Sequence, residues 1–296
     1  MSSSTITAPP LAARRSPFAG TASLWVIPPL VVLAALFFYP LSLIVREAVL
    51  GSGHSISFVH FGAVFETALF QKAFLNTIVI AAIATSGCIT LGFVLALTLS
   101  FVPFPGSQVL ARLIDTFIAM PTFLVALSFS FIYGSAGLLN VSLMDVFHLS
   151  LPPLDFLYSR WGVILAEVTV YTPFVLRPLL ASFSLIETAQ IEVASSLGAG
   201  AWRIIRQVIF PAAIPALLAG GSLCLLLTAN EFGIVLFISA KGVMTLPLLV
   251  YDKAIQEFDY TSACVVAVVN VCLSLSLYSV YRLVMSRFGG SNAGLV

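Results

Sequence analysis

The residues able to do chemistry are few, and most stand inside long apolar runs. They are Glu167, the pair Asn230-Glu231, the pair Asn76-Thr77, and Arg177 close behind Tyr171, Thr172 and Pro173. An ionised group in a bilayer core costs about 2.5–3.5 kcal/mol on insertion scales, so such groups face a cavity or a polar partner. Asn76, Asn230, Glu231 and Arg177 are therefore candidates for lining a translocation pathway. Each has a plainer alternative: an N-cap for Asn76, a helix-terminal group or ion pair for Asn230 and Glu231, and snorkelling to the interface for Arg177. Glu167 reads as structural.

The groups needed for bond chemistry are missing from the pattern. There is no G-x-x-x-x-G-K-[ST] phosphate loop, so any ATP that drives this chain is hydrolysed by a separate subunit. His54, His60 and His148 are isolated in polar connections, without the spacing of metal ligands. Cys88, Cys224, Cys264 and Cys272 sit in apolar runs with no C-x-x-C pair and read as small apolar packing residues. A membrane hydrolase would need a Ser/His, Asp/Asp or His/Glu set within its spans, and no histidine lies in one. The expectation is a protein that is not an enzyme and carries no cofactor or metal.

One polar island interrupts the apolar sequence: EVASSLGAGAWRIIRQVIFPAAIP, from Glu192 to Pro215. Ile186, Ala189, Val193 and Leu197 recur at helical spacing and predict an apolar stripe, with Glu187 and Glu192 on the other side. Gly198 and Gly200 allow a sharp turn, because glycine tolerates positive φ. A second helical piece follows, with Trp202, Ile205 and Ile209 on one face and Arg203, Arg206 and Gln207 on the other. Pro211 biases Phe210 toward extended geometry and is expected to end it. A helix–glycine–helix elbow can be gripped by another protein and pass its motion to the segments on either side. An amphipathic loop lying on lipid headgroups would show a basic face, whereas the first helix carries two glutamates and no Lys or Arg.

These features need a scaffold, and composition sets it. The chain is 60% hydrophobic and 8% charged, against about 25% charged in soluble domains. The lipid bilayer is its solvent. Its net charge of +1 argues against nucleic acid as a partner. A span needs roughly 20 apolar residues. Six segments qualify: Leu24–Val45, Phe74–Phe101, Leu113–Tyr133, Trp161–Phe183, Ile214–Ile238 and Thr261–Val284. Spans of this length are helices, since a barrel would show ten-residue alternating segments.

The expected fold is all-α and polytopic, with six transmembrane helices in residues 21–288. A disordered cytosolic N-terminus (1–20) precedes them and a short tail (289–296) follows. Arg14-Arg15 hints at a twin-arginine signal, but the run after it is too long for one and lacks a cleavage site.

Orientation comes from the cations. With the N-terminus inside, one side holds Arg14, Arg15, Arg112, Arg177, Arg203, Arg206, Arg282 and Arg287. The other holds Arg46, Lys72, Arg160, Lys241 and Lys253, along with Glu47, Glu66, Asp145, Asp155, Asp252, Glu257 and Asp259. Both termini and the 184–211 loop are thus expected in the cytosol. Of the outer connections, Ser239–Tyr260 reads as partly helical from Leu248, Tyr251, Ala254 and Ile255. Gly134–Ser159 is equally readable as a plain connector.

The Glu192–Pro215 segment resembles the cytosolic signature of type I ABC-importer permeases. Glu192, Ala194, Gly198 and Phe210-Pro211 match its Glu-Ala-Ala, Gly and hydrophobic-Pro positions. Val193 stands for the usual alanine and Phe210 for the usual leucine. FLNTIVIAA (Phe74–Ala82) is similar to the start of the permease core. NEFGIVLF (Asn230–Phe237) is similar to the branch handling sulfate, molybdate, iron(III), polyamines and phosphonates, and longer stretches look nearest to the aminoethylphosphonate permeases.

The resemblance implies a bacterial inner-membrane permease for a small polar or anionic solute, 2-aminoethylphosphonate first, with sulfate, iron(III) or a polyamine as alternatives. It implies two ATP-binding ABC subunits, a second permease (related or identical) and a periplasmic substrate-binding protein as partners. Glu192, Ala194 and Gly198 would then sit in a cleft of the ATPase. A stand-alone secondary transporter remains the rival from another class. It would show paired intramembrane charges and repeated halves, and neither is clear here.

Overall fold

The computed structural model describes residues 22–50, 57–238 and 242–288. The expected N-terminal segment, with Arg14-Arg15, and the 289–296 tail lie outside the described residues, as do His54 and Lys241.

The described chain is built of helices. It opens with α1 (Ala22–Leu33) and α2 (Tyr39–Val49), joined by a π-turn, then α3 (Val59–Phe65) and the long α4 (Ala68–Phe101). Next come α5 (Ser107–Ala119), α6 (Thr122–Tyr133), α7 (Leu138–Phe147) and α8 (Arg160–Phe183). The chain then passes through α9 (Thr188–Ser196) and α10 (Ala201–Ile204), and a second π-turn leads into α11 (Phe210–Ala229). It closes with α12 (Gly233–Ile238), α13 (Leu246–Tyr251) and α14 (Tyr260–Phe288). Among the described residues, six stretches are long and apolar enough to cross a membrane.

The bundle centres on α8, packed between α4 and α11. Apolar side chains gain nothing by leaving lipid for one another, so close packing of small residues carries the association. Ala84, Cys88, Ala166 and Ala213 are fully enclosed. A Cβ on Gly220 would stand 2.9 Å from both the Phe174 carbonyl oxygen and Val175 Cα, so only glycine lets α11 approach α8 this closely. Gly92 of α4 faces Val175 from the other side, where a Cβ would stand 3.2 Å from the valine side chain. Tyr281 of α14 donates to the Leu217 carbonyl at 2.6 Å and lies over Gly221. Gly220 and Gly221 thus pack against spans of their own chain. By contrast α1 and α2 are largely exposed.

Three expectations need correction. The third membrane-length stretch runs Thr122–Phe147, not Leu113–Tyr133. Pro121 breaks the helix after α5, which packs along α8, and the Gly134–Ser159 connection supplies α7. Asn140 fixes that connection, donating to the carbonyls of Gly134 (2.9 Å) and Leu154 (2.8 Å) and accepting from the Leu154 amide (2.9 Å).

The fifth stretch runs Ala201–Ala229, breaking before α12. Pro211 does not end it. Proline cannot donate to the carbonyl four residues back and crowds it. The π-turn at Ile205–Ile209 widens the helix immediately before, so that Phe210 donates to Ile205, five residues back, and the helix runs on. The same device, Ala34–Phe38, precedes Tyr39-Pro40.

Finally, Asn76-Thr77 does not open the second span. Its helix starts at Ala68, capped by Thr67, whose hydroxyl accepts the Phe70 amide at 3.3 Å.

Candidate functional site

The elbow forms much as its residues dictate. The α9 helix ends in a Schellman motif, in which a residue of positive φ lets two amides turn back onto the last carbonyls. Gly198 has φ +82° and supplies it. The Gly198 amide donates to Ser195 (2.9 Å) and the Ala199 amide to Ala194 (3.0 Å). Gly200 then starts α10, its carbonyl accepting from Arg203 (2.9 Å) and Ile204 (3.1 Å).

The apolar stripe is placed otherwise than its spacing suggested. Ala189 and Val193 face outward, and Leu197 and Trp202 are 81% and 74% exposed. Ile191 turns inward instead, over an apolar groove lined by Leu97, Phe101, Ile204 and Ile209. Ala194 is half-buried, and its carbonyl accepts the Ala199 amide that closes the turn. The Glu192 side chain is exposed and makes no hydrogen bond or ion pair among the described residues. The same holds for Arg203 and Arg206. The elbow therefore presents unpaired charge and uncovered apolar surface together.

The candidates within the spans do not form one site. Asn230 and Glu231 occupy the break between α11 and α12, with their side chains pointing to different neighbours. Glu231 is buried. One carboxylate oxygen accepts the Ile234 amide at 2.7 Å, capping α12, and the other accepts the Tyr171 hydroxyl from α8. Asn230 donates to the Leu226 carbonyl (2.8 Å) and Ser274 (3.1 Å) and accepts from Asn270 (2.9 Å) on α14. Asn76 is buried and donates to the Met244 carbonyl at 2.9 Å, while the Thr77 hydroxyl accepts the Leu246 amide at 2.9 Å. Together these two pin the α12–α13 connection to α4. Arg177 does not merely snorkel: its guanidinium takes the Asp115 carboxylate of α5 in a two-point pair.

Sequence reasoning missed Asp115, Tyr171, Asn270 and Ser274 as partners. Asn270 could have been flagged as an amide inside a span, and Tyr171 by its place one turn after Glu167. Nothing in the sequence pairs Asp115 with Arg177. Glu167 is fully buried in α8, and neither carboxylate oxygen finds a hydrogen-bond partner. No group of His, Cys, Asp and Glu able to hold a metal occurs among the described residues.

Comparison with known proteins fits this architecture. The family model described as "Binding-protein-dependent transport system inner membrane component" matches residues 88–290. A chain of Salmonella typhimurium named as the 2-aminoethylphosphonate transport system permease protein PhnU is 60% identical over 266 residues, covering 90% of this chain and 93% of that one. A Chlorella vulgaris chain named as a sulfate transport system permease protein, cysT, is 30% identical over 207 residues, 69% of this chain and 75% of that one. Among solved structures, a bacterial ABC transporter that imports the acidic polysaccharide alginate superposes with TM-score 0.78 at 18% identity, over 90% of this chain and 96% of that one. The methionine ABC transporter MetNI superposes with TM-score 0.52 at 16% identity, over 75% and 94%. At these identities the structural likeness speaks for the fold alone. The chain belongs to the family of binding-protein-dependent transport system inner membrane components, as a six-helix permease rather than an enzyme.

Proposed function

We propose that this chain is one membrane subunit of an ATP-driven importer of 2-aminoethylphosphonate. The observation that carries the substrate is the 60% identity, over nine-tenths of the chain, to a permease named for that solute. The sulfate permease relatives, near 30%, support the second reading, a tetrahedral oxyanion without the ammonium.

The permease pairs with a second one, related or identical, around a pathway that opens to either side in turn. Two ATP-binding subunits supply the drive, and a periplasmic binding protein delivers the solute. Both chain termini and the elbow lie in the cytoplasm. Glu192, Ala194 and Gly198 form the docking elbow for an ATPase. The support is the unpaired Glu192 beside the uncovered Leu197 and Trp202, a surface with no use inside this chain. Asn76, Asn230, Glu231 and Arg177 border the moving parts of the pathway, the first three as pins at helix breaks and connections and Arg177 as a tie between α8 and α5, rather than as a single pocket.

The test is Glu192→Arg. The variant reaches the membrane at the wild-type level and its cells no longer accumulate labelled 2-aminoethylphosphonate, while the ATPase still turns over. Normal uptake would refute the elbow's role. Uptake of labelled sulfate in wild-type cells that unlabelled sulfate competes away and 2-aminoethylphosphonate does not would favour the second reading.

A further inference from the structure

The end of the bundle opposite the elbow holds opposite charges that share a cavity without pairing. Helix α4 passes from Lys72 in its first turns to Phe101 at the groove beneath the elbow, roughly 45 Å at 1.5 Å per residue, so Lys72 sits at the far end. Lys72 lines two adjoining cavities. The first, about 460 Å³, also contains Asp252, Tyr251 and Gln256. The second, about 450 Å³, contains Arg160, Ser159 and Asn76. Gly242 borders both. A Cβ there would stand 3.1 Å from the Lys72 ammonium, so glycine leaves room around that charge.

The side chains of Lys72, Arg160 and Asp252 make no hydrogen bond or ion pair among the described residues, whose ion pairs are Arg177–Asp115 and Lys253–Glu257. Arg160 also begins the 24-residue α8, and the amide end of a helix adds positive field to that side. The cleft is thus cationic at Lys72 and Arg160 and anionic at Asp252, with Tyr251 lining the same cavity as Asp252.

We propose that this cleft is a binding site for a small zwitterion, with its oxyanion seated on Lys72 and its primary ammonium on Asp252. The ligand class rests on the phosphonate reading above. Arg160 and the start of α8 hold the oxyanion side electropositive and select against cations. The cleft receives the solute before it enters the bundle and lets the permease itself favour an aminated oxyanion over a plain one.

The test uses the full chain purified in nanodiscs with the subunits that co-purify. Binding is measured by equilibrium dialysis of labelled 2-aminoethylphosphonate and of methylphosphonate, which lacks the ammonium. Removing a charge-assisted contact weakens binding about tenfold or more. Lys72→Gln is expected to weaken both ligands. Asp252→Asn is expected to weaken 2-aminoethylphosphonate while leaving methylphosphonate unchanged, a split that misfolding cannot produce. Equal effects of Asp252→Asn on the two ligands, or none from either variant, would overturn the site. Cells that take up 2-aminoethylphosphonate normally in both variants, with binding unchanged, would leave the substrate reading standing and remove the cleft. Cells whose cargo proves to be another oxyanion, with the dialysis split intact, would remove the substrate reading and keep the cleft.

Discussion

Glu192 and Glu231 lie on one continuous stretch of chain and meet opposite conditions. Glu231 is enclosed at the break between α11 and α12, and both of its oxygens are taken, one by the Ile234 amide and one by Tyr171. Glu192 is exposed on α9 and unpartnered among the described residues. In the interior, a carboxyl group whose two oxygens both meet donors ties together the elements that carry those donors, so Glu231 is a pin. On an exposed elbow an unpaired carboxylate displaces no donor of its own chain and stays free for a partner. The same residue type thus marks architecture at one place and contact surface at the other. The contrast extends to the glycines. Gly220 exists because a neighbouring backbone is too close for a Cβ, whereas Gly198 and Gly200 have open space around them.

The sharpest way to break the contrast is Glu231→Leu. It leaves the Tyr171 hydroxyl and the Ile234 amide buried without an acceptor, at about 1–3 kcal/mol for each orphaned group. The expected loss is about 3 kcal/mol, read as unfolding in a denaturant titration of the nanodisc-embedded chain. Adding Tyr171→Phe removes one orphan and should return part of the loss. A Glu231→Leu chain as stable as wild type would show that the break is not pinned there.

Gly220→Ala comes next. Its Cβ meets backbone on α8, which cannot swing aside as a side chain would, and overpacking of this kind costs about 1–3 kcal/mol. Gly200→Ala is the control. Gly200 has φ −71° and nothing within 4 Å, so alanine there meets no neighbour and costs only the small N-cap preference of glycine over alanine, roughly a few tenths of a kcal/mol. Equal effects from the two would mean that α11 and α8 are not in the contact described.

Asp259 is an intermediate case: a carboxylate at the water-facing start of α14 that has found a partner. It accepts the Ser262 amide at 3.1 Å. Hydrogen bonding to Ser262 holds its carboxyl below the usual carboxylate value, helped by Lys253 and opposed by slight burial. A carboxyl with a lowered folded pKa contributes stability above its unfolded value, near 4, and loses it as pH falls through the lower folded value. Asp259→Ala should therefore cost about 1 kcal/mol at neutral pH. The difference from wild type should shrink below about pH 4, as followed in melts from pH 7 to pH 3. A difference that grows on acidification would contradict the cap.

The helices and the elbow were legible in the sequence because their signals are local. Apolar length gives a span, and glycine at Gly198 gives the turn. The edges were not. Apolar content cannot tell Leu113–Ala119, which packs along α8 in a helix ahead of the span, from the span itself, and it cannot see the break at Asn230. Pro211 reads as a stop to anyone who does not know that a π-turn precedes it. Of the polar groups, those satisfied within a turn or two could be read and those satisfied across helices could not. Asp115 and Arg177 meet only because α5 lies along α8. Glu231 meets Tyr171 only because α11 and α12 pack on the same helix. The outward turn of Val193 and Leu197 was also hidden, because periodicity fixes which residues share a face and not which way that face points.

The smallest expected effect tests the exposed side of the comparison. Gly198 has φ +82° with nothing within 4 Å, so alanine there meets no neighbour and the strain is purely of the backbone. A left-handed non-glycine residue costs about 1 kcal/mol, and asparagine costs less because it tolerates that conformation. The α9 half of the elbow is largely exposed, with Ile191 turned over the groove, so this strain is relieved by local opening rather than by unfolding of the whole. Gly198→Ala should leave the denaturation midpoint of the bundle unchanged. It should speed amide exchange at Gly198 and Ala199, whose bonds close the turn, by about fivefold for 1 kcal/mol. Gly198→Asn should fall between alanine and wild type. A drop in global stability with no change in local exchange would mean that the elbow is held into the bundle as firmly as the Glu231 junction, and the distinction between the two glutamates would have to be given up.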